Sequence, residues 1–259
     1  MILPQNDSIT PRRELINGED RVIVDLDGTL IRGGRPTEGA KGFLAGIADR
    51  YMVVSNNSTD TAGQLSVKLG RIGLAIPRRR LVLAGEETIR FVAARHPGAR
   101  CIVATSGLLR NMASREGLLL VGQDAQFVIL GRDISWNYRR LTLLVNELRN
   151  GATLIVTNPD LTHPDGEDRI VPETGSLLAA LVAGAGVEPA HIVGKPEALL
   201  FEEALRRLGS APENTIVVGD NPLTDREGAR RLGLRCVIVS ADRKNLLPNL
   251  TDLAHRSSA

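Results

Sequence analysis

Residues 21–30 read Arg-Val-Ile-Val-Asp-Leu-Asp-Gly-Thr-Leu, a short β-branched apolar run that stops at two carboxylates, Asp25 and Asp27, with a glycine behind them. The run predicts a buried strand, and open α/β sheets bind their ligands at the carboxyl ends of such strands. Negative charge delivered there points to a metal, a nucleophile or both. Taken alone, the pattern also fits a capping Asp and a turn Asp after an ordinary strand.

Along the rest of the chain, short apolar runs alternate with amphipathic segments, the pattern of βαβ units and a mostly parallel sheet. Strands are expected at 21–25, 51–55, 81–84, 101–104, 127–130, 152–156, 191–193, 215–218 and 235–239. Helices are expected at 39–49, 60–72, 85–95, 106–115, 137–149, 174–184, 197–208 and 224–232. Breaks at His96-Pro97-Gly98 and near Gly186–Pro189 suggest that residues 98–188 form a unit inserted into a core made of 1–97 and 189–259. A chain of 259 residues is long enough for this arrangement.

Composition removes several classes of function. With 32 basic and 30 acidic residues interspersed and a net charge of +2, no basic face announces a nucleic acid. An aromatic content of 3% leaves little from which to build a base-stacking platform. No stretch approaches the roughly 18 apolar residues of a membrane span, and the polar first 20 residues read as a loose tail without a leader. Cys101 and Cys236 sit inside apolar runs, as small core residues rather than ligands or a bridge. The expectation is a cytoplasmic protein.

Three more strand ends carry chemistry. Tyr51-Met-Val-Val runs into Ser55-Asn56-Asn57-Ser58-Thr59, whose hydroxyls and amides suit phosphate oxygens, while Ser58, Thr59 or Asp60 can also cap the next helix. His191-Ile-Val-Gly194-Lys195-Pro196 fixes a lysine between Gly and Pro, either aimed inward or simply at the surface. Thr215-Ile-Val-Val-Gly219 is followed by Asp220 and then Asp225, the second of which also fits an acid favoured by a helix dipole.

In this order, the four segments resemble the motifs of the haloacid dehalogenase superfamily: Asp25-Leu-Asp27-Gly-Thr, Ser55-Asn-Asn, Lys195, and Gly-Asp220 with Asp225. Val156-Thr157-Asn158-Pro159-Asp160, Gly175-Ser176-Leu177 and Val193-Gly194-Lys195-Pro196 resemble its NagD-type branch. The resemblance implies a Rossmann-like core with an inserted α/β cap at 98–188, and a Mg²⁺-dependent phosphatase. In that reading Asp25 is the nucleophile that forms an aspartyl-phosphate, and Asp27 is the general acid and base. Ser55, the Asn56 N–H and Lys195 hold the phosphoryl group, and Lys195 also offsets charge. Asp25, Asp220 and the Asp27 carbonyl bind Mg²⁺, with Asp225 behind them.

The second acid, Asp27, distinguishes a phosphohydrolase from the dehalogenases and ion pumps of the superfamily. A phosphotransferase or mutase using the same aspartyl-phosphate, and a non-catalytic binding protein of the same fold, are the alternatives. Relatives contact the leaving group with the cap, which makes Asn158, Asp160 and the Glu173-Thr174-Gly175-Ser176 segment candidates, with Pro164, Asp165 and Glu167 in the loop between. All of these residues also fit as turn formers. The acidic loop favours a small monophosphorylated metabolite over a polyanion. Pairing of copies through the cap is implied by the same analogy.

Overall fold

The computed structural model describes residues 16, 18–164, 169–240 and 248–254. The expected loose N-terminal tail therefore lies almost wholly outside the described residues, as do Asp165 and Glu167. The first half runs β1 (Arg21–Asp25), β2 (Ile31–Arg32), β3 (Arg35–Pro36), α1 (Ala40–Ile47), β4 (Tyr51–Ser55), α2 (Ala62–Arg71), β5 (Leu81–Leu83), α3 (Ala84–Arg95), β6 (Arg100–Ala104), α4 (Gly107–Arg115), β7 (Leu119–Leu120) and β8 (Phe127–Leu130). It continues with α5 (Tyr138–Arg149), β9 (Thr153–Val156), β10 (Thr162–Pro164), β11 (Ile170–Pro172), α6 (Thr174–Ala185), β12 (His191–Ile192), α7 (Leu199–Leu208), β13 (Thr215–Gly219), α8 (Glu227–Arg231), β14 (Arg235–Ile238) and α9 (Leu250–Ala254).

The strands form two five-stranded sheets, ordered β14-β13-β1-β4-β5 and β12-β9-β8-β6-β7, in which every described pairing is parallel. Two antiparallel hairpins, β2–β3 and β10–β11, lie outside them. In β1, Val22 and Val24 face one apolar cluster with Phe43 and Leu69, while Ile23 faces another with Phe201 and Ile155. Both faces of the strand are covered, so its sequence shows no polar alternation. The second cluster joins residues of both sheets with residues of α3 and α7. A third covers the outer face of the second sheet beneath α5 and α6.

Several boundaries differ from the sequence reading. β12, assigned above to the 189–259 core, pairs in parallel with β9 on the edge of the second sheet. The glycine signal at 186 marks the left-handed end of α6 instead of a crossing between sheets. Thr61, not Ser58, Thr59 or Asp60, caps α2, accepting a hydrogen bond from Gln64 N–H at 3.3 Å. The helix expected at 224–232 opens as a π-helical turn, Pro222–Arg226, before α8. Both cysteines are free; burial pushes the Cys101 thiol up to about 11 and the Cys236 thiol, aided by Asp225, up to about 12, so neither is a ready thiolate. Among the described residues, no helix is long and apolar enough to cross a membrane.

Candidate active site

β1 lies between β13 and β4, where the strand order of the first sheet reverses, so the ends of three strands converge. Register sets Asp25 level with Val54, one residue short of Ser55, and Val24 level with Val218, two short of Asp220. The turn after Asp27 is closed by Gly28 at φ +93°, a conformation that suits glycine. A Cβ at Gly28 would lie 2.0 Å from Asp220 Oδ2, so the glycine also lets Asp220 approach the first acid pair.

Lys195 is 3% exposed and lies at the centre of this group. Its Nζ donates to Asp25 Oδ1 at 2.5 Å, to Asp225 Oδ1 at 2.7 Å and more weakly to the Val54 carbonyl at 3.4 Å. Burial works against the ammonium, but the Asp225 and Asp25 carboxylates together outweigh it and hold the pKa above the ordinary lysine range. Burial pushes the Asp25 carboxyl well above the usual carboxylate range; Lys195 opposes the rise, and Asp225, Asp220 and Asp27 add to it. Asp220 is raised for the same reasons, burial first and Asp225 second.

Four carboxylates, Asp25, Asp27, Asp220 and Asp225, gather here, with Lys195 between Asp25 and Asp225, Arg32 near Asp220 and His163 near Asp27. Asp25 Oδ2 is buried without a hydrogen-bond partner among the described residues. Oxygens of Asp25, Asp220 and Asp225 lie within 4.8 Å of one another, an all-oxygen set suited to a hard cation. Asp225 is 1% exposed, and its other oxygen accepts from the Asn221 N–H at 3.1 Å, so both of its oxygens already have protein partners. This fits a place behind the cation rather than beside it.

Ser55 Oγ donates to Asp27 Oδ2 at 3.2 Å and accepts from the Asn57 N–H at 3.1 Å. Asp27 keeps open surface as a residue, while enclosure of its carboxyl raises its pKa against the opposing pull of the Ser55 hydrogen bond, Lys195 and His163. A raised carboxyl near a leaving group can hold a proton to give away.

The residues expected from the second sheet divide. Asn158 is fully buried, and its Nδ2 reaches the Asn56 carbonyl at 3.0 Å, Thr174 Oγ1 at 3.2 Å and Thr157 Oγ1 at 3.3 Å, while its Oδ1 accepts from the Asp160 N–H at 3.1 Å. These hydrogen bonds all go to protein groups. Gly175 is likewise buried, donating from its N–H to the Asp160 carbonyl at 2.7 Å. Asp160 is half-buried beside the site; burial raises its carboxyl, countered by the Asn56 hydrogen bond and by Lys195.

On the same side, sequence reasoning named the Glu173 segment but missed its partners His163 and Arg132. Glu173 Oε1 pairs with His163 Nδ1 at 2.7 Å and Arg132 Nη1 at 3.4 Å, and His163 stands near enough to Asp27 to lower its pKa. His163 and Arg132 belong to separate segments and share no motif with Glu173, so no local signal marks them.

Two family models match the chain: haloacid dehalogenase-like hydrolase over residues 22–118, and HAD-hydrolase-like over residues 192–251. A dihydroxyacetone phosphatase of Corynebacterium glutamicum is 34% identical over 221 residues, covering 84% of this chain and 79% of that protein. Among solved structures, NagD from E. coli K-12 superposes with a TM-score of 0.78 at 29% identity, covering 88% of this chain and 90% of that one. A glycerol phosphate phosphatase from Mycobacterium tuberculosis in complex with magnesium gives 0.82 at 28% identity, covering 93% of this chain and 78% of that one.

Proposed function

The chain belongs to the haloacid dehalogenase-like hydrolases and is a phosphatase of the NagD type, and from that premise we propose that it hydrolyses a small phosphate monoester through an aspartyl-phosphate on Asp25. Its cofactor is Mg²⁺; Asp25, Asp220 and the Asp27 carbonyl would hold the ion, with Asp225 behind them. When bound, Mg²⁺ offsets the repulsion between a carboxylate and a phosphate dianion.

The Asp25 carboxylate attacks phosphorus, and the bond from phosphorus to the leaving oxygen breaks. Asp27 passes its proton to that oxygen. Asp27 then takes a proton from water, which attacks the phosphorus of the aspartyl-phosphate and frees Asp25 and inorganic phosphate. Lys195 opposes the charge on Asp25, and Ser55 with the Asn56 N–H cradles the phosphoryl oxygens. Residues 98–188 act as the cap, and Asp160, with the His163–Glu173 pair, borders the space for the leaving group. The preferred substrates are small monophosphates of the kind named for the relatives, a triose or polyol phosphate.

The observation that carries this reading is Asp25 Oδ2, buried and without a hydrogen-bond partner among the described residues, in a cluster of oxygens with Asp220 and Asp225. The test is phosphate release from p-nitrophenyl phosphate and from triose, glycerol, glycolate and pyridoxal phosphates, with Mg²⁺ or with EDTA. Release that needs Mg²⁺ and favours one small monophosphate is expected. Unchanged release in EDTA contradicts the metal site, and transfer of the phosphoryl group to an acceptor other than water contradicts the hydrolase.

A further inference from the structure

The side chain of Asn56 grips the main chain of Lys195 on both sides. Its Oδ1 accepts from the Lys195 N–H at 2.8 Å, and its Nδ2 donates to the Lys195 carbonyl at 3.1 Å. One planar amide bonded to both polar groups of a single residue fixes where that residue sits and how it is turned. The second Nδ2 hydrogen goes to Asp160 Oδ2 at 3.0 Å. An ionised carboxylate accepts only, so in that form Asp160 dictates that the amide nitrogen faces it and that the oxygen is left for Lys195.

The backbone on either side is held by the same loop. The Asn56 carbonyl accepts from Asn158 Nδ2 at 3.0 Å, and the Gly194 N–H donates to the Thr157 carbonyl at 2.8 Å. A Cβ at Gly194 would lie 2.6 Å from both Asn56 Oδ1 and the Thr157 carbonyl, so the chain passes between them without a side chain to spare. Residues 157–160 of the second sheet thus grip both the residue that carries the ammonium and the amide that orients it.

We propose that Asn56 is a positioning residue for Lys195, set in place by Asp160 and Asn158, so that the inserted unit aims the lysine as well as roofing the site. This rests on the reading of Lys195 as part of the catalytic machinery. Asn56 contributes to phosphate only through its backbone N–H, which the change to Ala retains. Lys195 Nζ must meet Asp25 and Asp225 at once, and a misplacement of about 1 Å can cost on the order of 10²-fold in rate.

The experiment is a cycle of Asn56→Ala, Lys195→Ala and the double variant, with kcat and KM measured on the best substrate of the panel in Mg²⁺. Asn56→Ala is expected to lower kcat by roughly 10- to 100-fold with KM changed by less than about threefold. In the Lys195→Ala background the same change is expected to cost less than about twofold, because the group it positions is gone. Multiplying effects in the double variant overturn the proposal. A Lys195→Ala protein as active as the parent overturns instead the reading on which it rests. Asp160→Ala and Asp160→Asn decide the matter independently of the folding of Asn56→Ala. Asn keeps an acceptor oxygen for Asn56 and is expected to recover most of the kcat that Ala loses. Equal loss in both variants shows that the charge, not the hydrogen bond, matters, and contradicts the chain of positioning.

Discussion

At the residue scale, position in the sheet gives ordinary side chains their chemical character. Asp25 and Asp225 clamp one buried lysine, and burial alone would drive the proton off that lysine and favour a proton on Asp25. Gly28 is the least replaceable small residue in this group, because it combines φ +93° with the approach of Asp220. Gly28→Ala is expected to cost more than about 1 kcal/mol in urea unfolding. It should also raise the Mg²⁺ concentration for half-maximal activity by about tenfold or more, since a loss of roughly 1.4 kcal/mol in binding is tenfold in affinity. A variant with parental stability and metal dependence would show that Asp220 does not need that approach. Much of this group was legible in the sequence, because Asp25, Asp27, Ser55 and Asp220 each stand at or just past an apolar run, with Asp225 following five residues after Asp220. The role of the Asn56 side chain was not, since its partners lie 104 and 139 positions away.

At the element scale, strands covered on both faces were the most legible, since β1, β4 and β13 read as unbroken apolar runs with little competing pattern. The hairpins β2–β3 and β10–β11 were not foreseen, because strands of two or three residues are too short to display a period. Helix α7 shows what local charge pairing adds. Hydrogen bonds from Arg206 first, then Arg207, hold the Glu203 carboxyl down at about 2, and Arg207 continues to Glu87 on α3 at 2.7 Å. A folded-state pKa below the ordinary 4.5 means that ionised Glu203 stabilises the fold above about pH 4.5. That contribution is lost as pH falls toward 2. In melting curves between pH 6 and pH 3, Glu203→Gln is therefore expected to be less stable than the parent at pH 6, with the gap closing steadily toward the acid end. A gap that stays constant across this range contradicts the role given to the ionised pair.

At the scale of the whole molecule, the two parallel sheets are not separate bodies in their packing, because one apolar cluster runs from Ile23 and Val54 through Phe201 to Ile129 and Ile155. The alternation of strands and helices foretold a mostly parallel sheet, while the second α/β unit was expected from the chain breaks and the family resemblance. The crossing between them was misread because Gly186 ends α6 while the chain goes on to add β12 to the second sheet. Joined in this way, the second sheet can hold its 157–160 loop against the first at a fixed place, and the site between them is built from both. The central step of the proposed mechanism is covalent, on Asp25, and such a step can be caught directly. On the proposed mechanism Asp27→Asn removes the base that activates water, whereas p-nitrophenolate leaves without needing a proton. Mixed with p-nitrophenyl phosphate and Mg²⁺ and quenched in acid, this variant should release a burst of about one p-nitrophenol per protein. Peptide mass spectrometry should then find the phosphoryl group on Asp25. Turnover with no burst, or a phosphoryl group on any other residue, would contradict the account.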